Sequence, residues 1–60
     1  MFTLTIRTGN SAFYDEQGGY EPEFEVARIL EDVAEKVKAG WDRGNLVDIN
    51  GNHIGEWKLN

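Results

Sequence analysis

The sequence contains no cysteine, one proline and one histidine, and no apolar run longer than three residues. Without cysteine there is no disulfide and no thiolate metal ligand, so the chain must fold by packing alone and suits a reducing compartment. A single histidine leaves too few ligands for a zinc site. The apolar runs are too short for a membrane span, and the first residues lack the basic start of a signal peptide. We therefore expect a soluble cytoplasmic protein that makes no contact with a membrane.

The 60-residue length limits the chemistry that the chain can support. A chain of this size forms one small domain that buries only about 60% of its unfolded surface. Such a core hardly encloses the roughly 300–1,000 Å³ pocket that a metabolic enzyme needs. The glycines match neither of the two phosphate-binding patterns, G-x-G-x-x-G and G-x-x-x-x-G-K-[ST]. We expect a non-enzymatic protein with no cofactor and no catalytic residues.

Acidic residues outnumber basic ones and are concentrated in one stretch. Eleven Asp and Glu stand against six Lys and Arg, a formal net charge of −5. Residues 15–35 contain eight acidic residues and one arginine, a net charge of −7, whereas the rest of the chain sums to +2. Nucleic acids are poor partners for such a chain, so we do not expect direct nucleic-acid binding. One side of the molecule should carry most of the negative potential.

Two periodic segments predict the first strand and the helix. Residues 2–8 alternate apolar and polar side chains, which predicts a strand with Phe2, Leu4 and Ile6 facing the core. Pro22 and the acidic residues around it are typical of a helix start, and helical spacing predicts a helix over residues 22–39. Its buried stripe is expected to comprise Val26, Ile29, Leu30, Val33 and Val37.

The connection over residues 9–21 is long for a compact domain, and long loops are often functional or mobile. Phe13 is expected in the core, the two tyrosines are expected to be freer, and Gly18-Gly19 is a flexible point. On the helix we expect the exposed ion pairs Arg28–Asp32 and Asp32–Lys36.

The last part of the chain predicts a hairpin of two strands. Asn50-Gly51 lies between apolar runs at residues 45–49 and 52–59 and favours a two-residue type I′ turn. That turn places Val47 opposite Ile54, and a bulge at Gly55 would move Trp57 to the other face.

The predicted fold is a single α+β domain of the order β-α-β-β, with one helix packed on one face of a three-stranded sheet. The opposite sheet face is left open, and it is expected to carry Thr3, Thr5 and Arg7, with a tryptophan as a further candidate.

No motif points to a metal site. Asp48-x-Asn50-x-Asn52 has the spacing of a calcium loop, but Gly51 and Glu56 fall at positions 4 and 9 rather than at 6 and 12. A hairpin turn explains the motif better. His53 is expected to be a solvated strand residue.

Acidic residues interleaved with tyrosines are the best candidate for a partner-binding surface. Tyrosine is a favoured interface anchor, and a negative patch attracts a basic surface. A solvated acidic loop is the competing interpretation. The predicted partner-binding residues are Tyr14, Asp15, Glu16, Tyr20, Glu21, Glu25, Asp32 and Glu35.

Four segments resemble a group of very small proteins encoded by phages and prophages of bacteria. The segments are Phe2-Thr3-Leu4-Thr5-Ile6, Asn10-x-Ala12-Phe13, Glu25-Val26-Ala27-Arg28-Ile29-Leu30 and Leu46-x-Asp48-Ile49-Asn50-Gly51-Asn52-x-Ile54-Gly55. The resemblance covers most of the chain, and residues 14–23 are a longer insertion than the group leads us to expect. Small acidic phage proteins of this type are often inhibitors of host defence, anti-CRISPR proteins in particular. By analogy, the resemblance implies an inhibitor that blocks a nucleic-acid-binding surface.

The leading hypothesis is a non-enzymatic protein-binding module that docks its acidic face on a host protein or nucleoprotein complex with a basic surface. Two alternatives stay open. One is a nucleic-acid-binding accessory protein that uses the open sheet face with Arg7, Arg43 and Lys58. The other is a phage structural subunit that forms a homodimer or larger assembly through the same face.

Overall fold

The computed structural model describes residues 1–60, with three strands, one helix and a short 3₁₀ turn. In chain order these are β1 (Phe2–Ile6), the 3₁₀ turn (Ser11–Phe13), α1 (Pro22–Lys38), β2 (Arg43–Val47) and β3 (His53–Leu59). The α+β class is confirmed. The helix packs on one face of an antiparallel sheet of order β1-β3-β2, so the last strand lies in the centre and β1 and β2 form the edges. No helix combines the length and apolar character needed to cross a membrane.

The register of β1 against β3 confirms which side of β1 faces the helix. Phe2 pairs with Leu59, Leu4 with Trp57 and Ile6 with Gly55. Because side chains alternate between the two faces of a sheet, these residues share the helix side. The strand ends at Ile6 instead of the predicted Thr8.

The second strand lies two residues earlier than predicted, because Asp48 begins the turn. Its Oδ1 accepts hydrogen bonds from the backbone N–H groups of Asn50 and Asn52, both at 2.9 Å. The N–H of Gly51 also donates to the Asp48 carbonyl at 2.9 Å, and the N–H of Asp48 to the carbonyl of Asn52. Within this turn, Gly51 is the residue with a positive φ, 84°. The hairpin is thus confirmed, but its loop has three residues and is not the predicted type I′ turn.

A bulge next to this turn changes the register for one residue pair. Leu46 pairs with Gly55, whereas Val47 pairs with His53 rather than with Ile54, which is left as the extra residue of β3. Gly55 also allows the central strand to approach β1 closely. A Cβ atom at Gly55 would lie 1.8 Å from the carbonyl oxygen of Thr5, so only glycine, which has no Cβ, fits at this position.

Six apolar residues form the buried core between the helix and the sheet. They are Phe13, Ile29, Val33, Leu46, Ile54 and Trp57. The predicted burial of Phe13 is confirmed, since its side chain is fully buried. The predicted burial of Leu30 is wrong, because its side chain is 46% exposed. The helix lies closer to β2 than to β1, and this offset leaves the side of the helix with Leu30 uncovered.

Of the two predicted ion pairs on the helix, one is present. Lys36 Nζ lies 2.9 Å from Asp32 Oδ2. Arg28 instead pairs with Glu25, three residues before it.

Candidate functional site

The residues predicted to bind a partner begin in a small hairpin that we call the tyrosine loop, residues 14–21. Tyr14 and Tyr20 form an isolated antiparallel bridge. Inside it, the N–H of Asp15 donates to the carbonyl of Gly19 at 2.7 Å, and Asp15 Oδ1 accepts from the N–H of Gly19 at 2.6 Å. Gly18 has a φ of 84°, which suits a tight turn. The Gly18-Gly19 pair therefore makes an ordered turn where the sequence predicted a flexible point.

Both ends of the tyrosine loop contact the rest of the molecule. Phe13, directly before it, is buried in the core, and its carbonyl accepts the N–H of Glu21 at 2.8 Å. The hydroxyl of Tyr20 lies 2.7 Å from Thr8 Oγ1. The rings of Tyr14 and Tyr20 are 5.2 Å apart and tilted by 55°, a favourable aromatic arrangement. The two rings thus support each other while remaining 44% and 52% exposed.

Free carboxylates lie next to this aromatic pair. Glu16 and Glu21 are exposed, and neither forms an ion pair or a side-chain hydrogen bond. Glu23, in the first turn of α1, is exposed as well and adds a third free carboxylate to this end of the molecule. Asp15 is half-buried, and its Oδ1 accepts the backbone N–H of Gln17 within the turn. The tyrosine loop therefore presents two aromatic rings beside a cluster of negative charge.

The structure separates the other predicted site residues from the tyrosine loop. Asp32 and Glu35 lie eleven and fourteen residues beyond Glu21, which is about 16–21 Å along the helix at 1.5 Å per residue. Asp32 pairs with Lys36, and Glu35 lies 3.5 Å from Lys38. The predicted acidic surface is thus divided into a tyrosine-loop end and a helical part whose charges are partly neutralised.

Glu25 does not belong to the exposed acidic surface, which corrects the expectation from the sequence. Its carboxylate is only 8% exposed and accepts two hydrogen bonds from Arg28, at 2.8 and 2.9 Å. Glu25 Oε2 also accepts the backbone N–H of Ile49 at 2.8 Å. Glu25 therefore fastens the helix to the hairpin of β2 and β3.

Asp48 makes the matching connection from the hairpin to the loop after β1. Its carboxylate is 3% exposed and accepts, besides the two turn N–H groups, hydrogen bonds from Asn10 Nδ2 at 2.5 Å and Asn52 Nδ2 at 3.3 Å. Burial favours a raised pKa for Asp48, but the hydrogen bonds from Asn52, Asn50 and Asn10 outweigh it and lower the pKa. The hydrogen bonds from Arg28 likewise hold the pKa of Glu25 below its ordinary value, against the effect of burial.

These two buried carboxylates have the surroundings of structural groups. An acid/base pair needs two groups whose environments push their pKa values apart, whereas the pKa values of Glu25 and Asp48 are both lowered. No group of three or more His, Cys, Asp or Glu side chains is placed to hold a metal ion. His53 is exposed and lies 3.5 Å from Glu56.

The open sheet face is polar and lacks the aromatic residues of a base-stacking platform. Thr3, Lys58 and Arg43 lie side by side across the three strands. Trp57 faces the helix and is 2% exposed, and Trp41 lies outside the sheet with Lys36 Nζ 5.3 Å from its ring centre. The proposed tryptophan on this face is therefore wrong. Arg7 is also engaged, since its Nη2 donates to the His53 carbonyl at 3.1 Å.

An apolar groove between α1 and β1 was missed by the sequence reasoning. It has a volume of about 480 Å³, and its walls include Phe2, Leu30 and Leu59, which are 47%, 46% and 42% exposed. The signal was present in the sequence, because Leu30 and the two alanines Ala27 and Ala34 widen the apolar stripe of the helix. Only the offset of the helix on the sheet shows that this part of the stripe is left uncovered.

Comparison with known proteins adds no relative. No protein family model matches the chain, and neither a curated protein nor a solved structure matches it.

Proposed function

We propose that the chain is a non-enzymatic protein-binding module whose tyrosine loop docks on a basic surface of a partner. The observation that supports this most directly is the pair of exposed tyrosine rings, 5.2 Å apart, held in an ordered hairpin beside free carboxylates. Tyrosine offers a large contact area at a small entropic cost, and here part of that cost is met before binding.

The charges around the rings define the kind of partner. Glu16, Glu21 and Glu23 form no ion pairs within the chain, so their carboxylates are available to lysine and arginine side chains of another protein. Charge pairs that become desolvated at an interface couple by about 1.5 kcal/mol or more. A groove that normally holds the phosphates of a nucleic acid has the required positive charge.

The resemblance to small phage proteins supports a more specific form of the proposal. In this form the partner is a nucleoprotein complex of a bacterial defence system, such as a CRISPR effector, and the chain acts as an inhibitor in the host cytoplasm. The tyrosine loop would occupy the groove and exclude the target strand.

The test uses a purified CRISPR effector complex and a labelled target DNA. The variant Glu16→Lys/Glu21→Lys/Glu23→Lys reverses the charge of the tyrosine-loop end. We expect it to weaken inhibition of DNA binding at least about tenfold, and inhibition by the unchanged protein to weaken as salt increases. Thermal unfolding of the variant should show only a small loss of stability: all three side chains are exposed, and lysine at Glu21 and Glu23 costs about 0.3–1 kcal/mol each at the helix N-terminus.

The matched control is Glu31→Lys/Glu35→Lys/Glu56→Lys, which makes the same change in net charge at three exposed positions away from the tyrosine loop. We expect it to inhibit nearly as well as the unchanged protein. Equal losses in both variants would show that only the total charge matters. Lack of inhibition by the unchanged protein would reject the CRISPR form of the proposal.

A further inference from the structure

We propose that the chain forms a two-fold symmetric dimer through the edge of β1, which joins two three-stranded sheets into one of six strands. In this dimer the apolar groove beside β1 is covered by a second copy of the chain. The inference does not depend on the proposed function, because the tyrosine loop takes no part in it and Glu23 alone belongs to both surfaces.

The outer edge of β1 carries unpaired backbone groups. The N–H of Arg7 donates to the carbonyl of Ile54 in the next strand at 2.7 Å. Because the backbone groups of a strand point alternately to its two sides, the N–H and C=O groups of Phe2, Leu4 and Ile6 point away from β3. No other segment of the chain pairs with this edge.

The edge of β1 lacks the features that protect natural edge strands from pairing. Charged residues, proline and bulges are common protections, and β1 contains none of them. The opposite edge strand, β2, begins with Arg43 and Gly44, and its Val47 carbonyl lies 3.4 Å from Arg28 Nη2. Of the two edges, β1 is therefore the one built to accept another strand.

A second copy of β1 fits this edge because the strand is complementary to itself. In an antiparallel pair centred on Leu4, Leu4 lies opposite Leu4 of the second copy, and Phe2 lies opposite Ile6. All three residues with outward backbone groups then find partners. The same three side chains lie on the helix side, so pairing continues the apolar surface from one copy into the other.

The groove supplies the apolar contact that a strand edge alone does not give. Phe2, Leu30 and Leu59 line it and are each almost half exposed. Symmetry places both helices on one face of the six-stranded sheet, where these side chains of the two copies face a shared channel. Burial of apolar surface of this size is the main driving force for association.

The contact surface combines β1, whose five residues extend about 17 Å, with the groove of about 480 Å³ beside it. The groove side of the helix ends in opposite charges, Glu23 near its start and Lys38 at its end. Because the two helices run antiparallel in the dimer, the acidic end of one lies toward the basic end of the other.

Sedimentation equilibrium of the full chain tests the dimer with two variants of equal charge. Leu30→Glu places a charge in the groove, whereas Phe24→Glu makes the same type of change at a helix residue that is 73% exposed and lies outside the groove. We expect a dimer at micromolar concentration, at least about tenfold weaker dimerisation for Leu30→Glu, and nearly unchanged dimerisation for Phe24→Glu.

Disulfide trapping tests the strand register, since the chain has no cysteine of its own. With Leu4 at the centre, Thr3 lies opposite Thr5 of the second copy, about 4.5 Å away between Cα atoms, within the range that a disulfide spans. Thr3 of one copy lies about 8 Å from Thr3 of the other, which is too far. A mixture of Thr3→Cys and Thr5→Cys proteins should therefore crosslink, while either protein alone should not.

Three kinds of result would contradict the proposal or its register. A monomer at all concentrations, or equal effects of Leu30→Glu and Phe24→Glu, would overturn the proposal. A dimer that crosslinks equally well with Thr3→Cys alone would reject the β1 register. A monomer that instead binds an extended peptide at the β1 edge would show that the edge serves a different protein, and it too would overturn the dimer.

Discussion

Replacing Glu25 by alanine should destabilise the fold far more than replacing any exposed glutamate. The carboxylate of Glu25 is 8% exposed and joins the helix to the hairpin through Ile49, 24 residues away in sequence. In the alanine variant the N–H of Ile49 loses its acceptor, and Arg28 loses its ion-pair partner. The matched control is Glu35→Ala, since the Glu35 side chain is 76% exposed and lies 3.5 Å from Lys38.

The expected magnitude follows from the two contacts. A hydrogen bond to a charged acceptor contributes about 1.5–3 kcal/mol, which applies to the Ile49 N–H. The Arg28 pair adds about 0–1 kcal/mol, because the Arg28 side chain is 47% exposed and finds water instead. The free energy of unfolding should therefore fall by about 1.5–4 kcal/mol. A chain of this length has only about 3–9 kcal/mol in total.

Urea unfolding followed by tryptophan fluorescence measures this change, because Trp57 is buried and becomes hydrated on unfolding. With an m-value of about 1 kcal/mol/M, the midpoint should shift by about 1.5–4 M for Glu25→Ala and by less than about 0.5 M for Glu35→Ala. Glu25→Gln, which keeps an acceptor for Ile49, should fall between them. Equal and small shifts for Glu25→Ala and Glu35→Ala would refute the role assigned to the buried carboxylate.

Two further predictions concern pH and the helix stripe. The pKa values of Glu25 and Asp48 lie below their ordinary values of 4.5 and 3.8, so both ionised groups stabilise the fold above about pH 4.5, and this contribution is lost as the pH falls through the lowered values. When urea midpoints are measured from pH 7 to pH 3, the midpoint concentration should therefore decrease once the pH is below 4.5, and the decrease should be smaller in Glu25→Gln. An identical pH dependence in both proteins would contradict the lowered pKa of Glu25. Ile29→Ala should cost about 2–4 kcal/mol because Ile29 is buried, whereas Leu30→Ala should cost less than about 1 kcal/mol in the monomer. Thermal unfolding at low protein concentration compares the two, and a larger loss for Leu30→Ala would show that the helix packs through its other side.

Local patterns in the sequence were enough to predict the elements of this protein. The alternation of residues 2–8 and the helical spacing of residues 22–39 depend on neighbours in the chain. Both elements are present, with the strand ending two residues and the helix one residue earlier than predicted. The burial of Phe13 followed from its apolar side chain in a polar loop. Asn50-Gly51 likewise located the hairpin, because glycine accepts the positive φ that the loop requires.

The tertiary structure decided the features that depend on distant residues. In the sequence, Glu25 does not differ from the other acidic residues at the helix start. Its buried position depends on the contact with the hairpin, where it accepts the N–H of Ile49. β2 ends two residues earlier than predicted because the Asp48 carboxylate accepts hydrogen bonds from the turn backbone and from Asn10. The tyrosine rings were visible in the sequence, but their pairing across a hairpin was not.

The helix stripe shows the same division most clearly. Ile29 and Leu30 are adjacent, similar in size and equally apolar, so their sequence positions alone do not distinguish a core residue from a surface residue. The sheet order β1-β3-β2 and the offset of the helix toward β2 place Ile29 in the core and leave Leu30 in the groove. Which part of an apolar stripe becomes buried is set by where the sheet lies beneath it, and that depends on strand pairing between residues more than forty positions apart.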